Sequence, residues 1–275
     1  HDAHAAIGLG VARAFADGGF DGTLKFFFQS AEEGGRGGKP MAESGHLDDV
    51  DRLLAVHVGL DEPTGTVVSS YDAPLSNAKV DVTFSGEPAH AGGEPHAGRN
   101  ALQAATAAIG NLYGIARHGE GVTRVNVGRV NADNAQNVIC EEATMRVEVR
   151  GETHDLNEYM LGRAREVVDG AATMHDVDVE TSLYGKTTTF TNDESVVDVV
   201  EAAANATPSV DRIIEKEFGG SEDASFLVRR VQERGGTATY LGVGASNPSG
   251  HHTAYFDVDE DAIDVGVDVI ADAIG

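Results

Sequence analysis

Leu24-Lys25-Phe26-Phe27-Phe28-Gln29-Ser30-Ala31-Glu32-Glu33-Gly34-Gly35 is the stretch on which the reading of this chain turns. Its first half is a compact apolar run, the pattern of a strand buried on both faces of a parallel sheet. Its second half places adjacent carboxylates at the end of that run, followed by glycines. Such a pair does not belong in a core. Beyond the strand C-termini of an open parallel sheet lies the crevice where ligands bind. There one carboxylate can hold a metal while its neighbour moves a proton. Taken alone, the pair fits a solvated acidic turn equally well, so the rest of the chain decides.

Working outward, residues 1–17 read as a helix, with Ile7, Val11 and Phe15 spaced by four. Residues 37–45 form a short helical stretch and 53–58 a second buried strand, completing a parallel crossover unit with 24–29. His57 then lies at the same sheet edge as Glu32 and Glu33. Near residue 75 the pattern changes. Residues 79–84, 123–130, 143–149 and 177–183 read as strands, and 99–117 and 156–173 as helices. The order β-α-β-β-α-β is ferredoxin-like. From 187 the first style returns, with helices at 194–206 and 259–274 and a strand at 237–243. Ser221 is placed to cap a helix running to Arg234, with Glu222 and Asp223 in its first turn. The expected fold is α/β: a parallel-sheet domain (1–74 and 187–275) interrupted by an inserted ferredoxin-like α+β domain (75–186). An uncovered face or edge of that insert favours pairing with another subunit.

The chain of 275 residues carries a net charge of -25, from 45 acidic and 20 basic residues. Such charge repels nucleic acid, and no apolar run approaches a membrane span. The acids are spread along the chain and lysine is scarce, a pattern suited to concentrated intracellular salt. A single cysteine, Cys140, excludes an intrachain disulfide framework and fits a reducing cytoplasm. The start at His1-Asp2-Ala3-His4 has neither the basic nor the apolar region of a signal peptide.

Candidate ligands converge on one sheet edge: Glu32 and Glu33, His57, a histidine after the strand at 237–243 (His252, with His251 competing), and His1. Imidazole and carboxylate donors without thiolates suit a hard-to-borderline divalent cation. The segments His1-Asp2-Ala3-His4, Gln29 to Gly34, Ala55-Val56-His57-Val58-Gly59, Pro88-Ala89-His90-Ala91-Gly92, Gly220-Ser221-Glu222-Asp223 and His251 to Asp257 together resemble the M20 metallopeptidase/amidohydrolase family. The likeness spans the whole chain in order and is greatest to the branch that hydrolyses aminoacyl conjugates.

That resemblance implies roles. Glu32 is expected as the general base that takes a proton from water and passes it to the leaving amine. His1, Glu33, His57 and His252 are expected to ligate two divalent ions, manganese or zinc. His90 is expected to reach a partner subunit's site and stabilise the oxyanion, with Asn137 and Arg150 holding the substrate carboxylate. The implied reaction is cleavage of the amide of an acyl- or aryl-amino acid, p-aminobenzoyl-glutamate being one candidate. The alternatives are N-acyl-amino-acid hydrolysis, exopeptidase action, or the role of a non-catalytic subunit in a hydrolase complex. The inserted domain is expected to serve as a lid and to pair with a second copy or a related subunit. His4 is expected beside the metal or on the helix surface. The family motif has a cysteine two residues before the position of His1, so the chain reads as N-terminally truncated, without that bridging ligand. The acidic composition predicts that the thermal midpoint rises strongly between dilute buffer and molar KCl, and a salt-independent midpoint would reject the halophilic reading.

Overall fold

The computed structural model describes every residue except Leu60, Ala73, Gly219 and His252. Its first sheet has the order β1-β8-β2-β7, built from β1 (Arg52–Val58), β2 (Thr66–Asp72), β7 (Arg212–Glu217) and β8 (Thr237–Val243). β1 runs parallel to β8, and β2 parallel to β7. β2 meets β8 antiparallel through Val67 and Val68. The sheet is therefore mixed, which corrects the expectation of a parallel one. β2 and β7 escape the sequence reading for a physical reason. β2 breaks its apolar run with Ser69 and Ser70 beside a register shift, and β7 is a charged edge strand.

Helices cover both faces of this sheet. On one side pack α1 (Asp2–Ala14), α5 (Glu194–Ala206) and α7 (Asp261–Ile274). Ile7, Val11, Val200, Val265 and Val269 meet Val67, Leu241 and Val243 there. On the other side α2 (Gly38–Glu43) and α6 (Ser225–Glu233) enclose Leu53, Val68, Tyr71, Ala238 and Tyr240. Ala238 and Tyr240 face one layer and Leu241 and Val243 the other, as a period of two requires.

The second sheet has the order β4-β5-β3-β6 and is antiparallel throughout. Its strands are β3 (Ser76–Ser85), β4 (Thr123–Asn131), β5 (Glu142–Gly151) and β6 (Asp178–Lys186), with α3 (Ala101–Tyr113) and α4 (His154–His175) between them. Phe84, Met145 and Val147 pack against Leu112, Met160 and Val168. Asn100 caps α3 through the Gln103 N–H at 3.2 Å, and Thr153 caps α4 through Leu156 N–H at 3.2 Å.

The run at 24–29 does not form the expected strand, so the crossover unit it was to open is absent among the described residues. Phe26 and Phe28 remain 37% and 49% exposed. β1 is the outermost strand on that side, and a cavity of about 960 Å³ lies between it and residues 24–29. Apolar composition alone does not make a strand, which needs a partner within hydrogen-bonding reach. The same cavity is also lined by His1, His4, Glu32, Glu33, His57 and Glu222.

Candidate metal centre and active site

Parallel pairing of β1 with β8 sets His57 opposite Gly242, near the C-terminal ends of both strands. His1 precedes α1, and His4 follows one turn later. Centroids of the His1 and His57 rings lie 5.6 Å apart, and those of His4 and His57 4.4 Å. Burial, reinforced by neighbouring positive charge, pushes the His57 imidazole down to about 4. It drives His4 down to about 2. Both rings are neutral at pH 7 and keep a lone pair. His57 places its Nδ1 2.8 Å from the Val58 carbonyl. The Val58 N–H in turn donates to His4 Nε2 at 2.9 Å.

Glu32 and Glu33 sit in a single 3-10 turn, Glu32–Gly34, bounded by Ala31 at φ 59° and Gly35 at φ 63°. His1 Nε2 is 3.5 Å from Glu32 and its Nδ1 3.9 Å from Glu33. One ligand atom from each of these residues falls within 4.8 Å of the others. The loop is clamped from behind. The fully buried Asp223 carboxylate accepts the N–H groups of Gly37 at 2.9 Å and Gly38 at 2.8 Å, and the Gln29 side chain donates to its other oxygen. A Cβ on Gly37 would lie 1.6 Å from the Ser30 carbonyl oxygen, and one on Gly38 1.9 Å from that of Asp223, so neither position admits a side chain. From the second sheet, Lys186 N–H donates to the Gly35 carbonyl at 3.0 Å and the Arg36 guanidinium lies 4.9 Å from the Tyr184 ring centre.

Glu222 is a residue whose place the sequence reading missed. The expected helix starting from a Ser221 cap begins instead at Ser225, with Ala224 at its N-cap. Glu222 and Asp223 turn inward rather than lining a first turn, because their carboxylates satisfy buried donors. Glu222 accepts from Tyr240 Oη at 3.0 Å and from Ala224 N–H at 3.1 Å. Burial first, and the charge of Glu32 second, push its carboxyl up to about 8. Tyr240 is raised well above its ordinary value by burial and by Glu222. The Glu32, Glu222 and Asp223 carboxylates approach within 4.8 Å. An acidic dipeptide ahead of a helix reads as a cap, and its strand partner Tyr240 gave no signal at sequence distance.

The predicted residues thus fall into separate groups. His1, Glu32, Glu33 and His57 line one cavity. His252 lies outside the described residues. Its competitor His251 stands 6.0 Å from the His57 ring and packs on Phe256 at 4.9 Å. His90, Asn137 and Arg150 do not line that cavity. The exposed His90 accepts Gly93 N–H on Nδ1 at 2.9 Å, which leaves its proton on Nε2. Asn137 is adjacent, its carbonyl receiving Ala91 N–H at 2.9 Å. Arg150 forms a two-pronged pair with Glu148, both contacts 3.0 Å. Imidazole and carboxylate donors lining one cavity, without a thiolate among them, fit a divalent metal ion.

All of residues 1–275 match the model for peptidase family M20/M25/M40. A homolog of one p-aminobenzoyl-glutamate hydrolase subunit, from Haemophilus influenzae, is 42% identical, over 98% of this chain and 64% of its own. Indole-3-acetyl-aspartic acid hydrolase of Enterobacter agglomerans is also 42% identical, over 98% of this chain and 63% of its own. The crystal structure of an aminobenzoyl-glutamate utilization protein from Klebsiella pneumoniae superposes with a TM-score of 0.89 at 38% identity, covering 98% of this chain and 66% of that one. The chain therefore spans just under two thirds of the length of these relatives.

Asp223→Ala strands the buried Gly37 and Gly38 donors and should cost roughly 3–5 kcal/mol in urea unfolding, with Asp223→Asn less damaging. Glu222 carries a pH signature of known sign. From pH 4.5 to about 8 the folded chain retains a proton here that the unfolded chain has lost. Stability from this group therefore falls as pH rises through that window. Glu222→Gln should flatten the fall, measured as urea midpoints across that range, and an unchanged slope would contradict the assignment.

Proposed function

The chain belongs to peptidase family M20/M25/M40, and on that premise we propose that the protein is a metal-dependent amidohydrolase. Its substrate is the amide of an acyl- or aryl-amino acid, with p-aminobenzoyl-glutamate the first candidate. The observation that carries this reading is the setting of Glu32 and Glu33 against His1, at 3.5 and 3.9 Å, at one mouth of a cavity.

Four residues, His1, Glu33, His57 and His252, would hold two divalent ions, manganese or zinc. Bound there, such ions would supply Lewis acidity and make water easier to deprotonate at neutral pH. Glu32 takes the proton from the attacking water and hands it to the departing amine. The raised Glu222 carboxyl is protonated at pH 7, so negative charge is concentrated on Glu32, where a base needs it. Tyr240 and the Ala224 N–H fix Glu222 in place.

Residues 75–186 form a lid and dimerisation domain in this reading, and residues 1–74 with 187–275 the catalytic domain. His90, with its proton on the outward nitrogen, donates to the developing oxyanion in a partner subunit. Asn137 and Arg150 receive the free carboxylate, Arg150 by exchanging Glu148 for substrate. The partner is a second copy or a related subunit, in keeping with an Escherichia coli relative named as one subunit of its hydrolase. The relative named for indole-3-acetyl-aspartic acid hydrolysis, equally identical, favours an aspartate conjugate as the second reading. Among the described residues no helix is long and apolar enough to cross a membrane. A single cysteine and the charge of -25 suit a reducing, salt-rich cytoplasm.

Glu32→Gln should lower kcat on p-aminobenzoyl-glutamate by on the order of 10²–10⁴ while metal content by elemental analysis is kept. Unaltered turnover in that variant would sink the mechanism.

A further inference from the structure

The two peptides that flank Val58 are each held by an imidazole, the first through its N–H and the second through its carbonyl, and each contact fixes a tautomer. A carbonyl oxygen only accepts, so the 2.8 Å contact to Val58 puts the His57 proton on Nδ1. Nε2 of His57 therefore keeps its lone pair. A backbone N–H only donates, so His4 Nε2 is committed as acceptor to Val58 at 2.9 Å. That nitrogen is not available for a metal.

The need for His4 follows from the sheet. β1 is the outermost strand, and the next donor along, Gly59 N–H, turns inward to the Val243 carbonyl at 2.8 Å. By strand alternation the Val58 N–H faces away from β8, where no strand among the described residues receives it. Without His4 this donor would lack that acceptor, and the His57–Val58 peptide, which leaves the His57 backbone directly, would lose its hold on the side away from β8. The two rings also meet edge-on, with centroids 4.4 Å apart.

We infer that His4 is a positioning residue for the metal centre: it holds the His57–Val58 peptide, and so the backbone from which the His57 side chain aims Nε2 at the ion. This rests on the reading of His57 as a ligand. His4 touches no reacting atom in it. A residue that merely satisfied a strand-edge donor would shift the unfolding midpoint and leave metal affinity alone. A positioning residue changes affinity, because partners that orient ligating histidines are typically worth 10–100-fold in binding.

The test is a Co²⁺ titration of the metal-free full-length protein, followed by d–d absorption, in His4→Leu, His4→Gln and His57→Ala. His4→Leu should bind Co²⁺ about 10–100-fold more weakly than the unmodified protein. His4→Gln, whose amide oxygen can accept the Val58 N–H, should recover most of that affinity with an unchanged band position. If His4→Leu binds like the unmodified protein while His57→Ala does not, the positioning role is overturned. If His4→Gln stays as weak as His4→Leu with a shifted band, His4 is itself a ligand and the inference is again wrong. Should His4→Leu not fold, His4→Gln decides alone: near-native affinity and band support the inference, and a drop with an altered band rejects it. Full affinity in His57→Ala would instead reject the ligand reading on which the inference stands.

Discussion

The candidate site depends on one buried carboxylate, that of Asp223. It draws Gln29 from before the glutamate turn and the N–H groups of Gly37 and Gly38 from after it. Those N–H groups open α2, where a negative charge is favoured by unpaired amide donors. The loop between the two grips has little freedom left. Ala31 must adopt a left-handed conformation, normally costly for a residue with a side chain, to bring Glu32 and Glu33 round toward His1. Glycines at 37 and 38 are what allow the backbone to come close enough for the carboxylate to bind both amides.

Burial also redistributes charge in a protein that is otherwise uniformly acidic. His57 and His4 are held neutral, and Glu222 is held protonated. Each of these shifts is a desolvation effect first; neighbouring charge comes second for His4 and Glu222, while for His57 the Val58 hydrogen bond opposes the shift. The outcome is a polar pocket in which the uncharged rings of His57 and His4 share one cavity with His1, Glu32 and Glu33. That is the arrangement a divalent cation finds most favourable, since lone pairs do not have to be freed from protons before it binds.

How far the residues alone reveal this can be judged element by element. The helix at 194–206 and the strand at 237–243 were readable to the residue, because apolar periodicity and burial agree there. Glu32, Glu33 and His57 line one cavity, but not for the reason the sequence offered, since residues 24–29 form no strand for the glutamates to end. Residues 24–29 were misread because an apolar run specifies neither burial nor pairing: none of them is buried, and no strand pairs with them among the described residues. β2 hid behind its serines, which break the apolar run; the Ser69 hydroxyl donates to Glu201 of α5 at 2.9 Å. Glu222 and Asp223 were misread because a local rule, acid at a helix start, competed with tertiary donors: Tyr240 for Glu222, and Gly37 and Gly38, more than 180 positions away, for Asp223. Tertiary contacts of that kind leave no periodic trace in a single chain.

The second sheet is attached in a way that bears on how the molecule can be cut. β3 and β6 are hydrogen-bonded neighbours, with Ala78 opposite Lys186 and Thr187 N–H bonded to the Asn77 carbonyl at 3.0 Å. The chain thus departs and returns through adjacent positions, the geometry that lets a segment be replaced by a short bridge. The last residues of β6 do not belong to the removable part, however. Gly185 lies so close to the Gly34 carbonyl oxygen that a Cβ would stand 1.9 Å from it, and Lys186 bonds the next carbonyl. A graft boundary drawn at the end of the sheet would take away the floor under the glutamate turn. Drawn before Tyr184, it would leave that floor with the half that needs it.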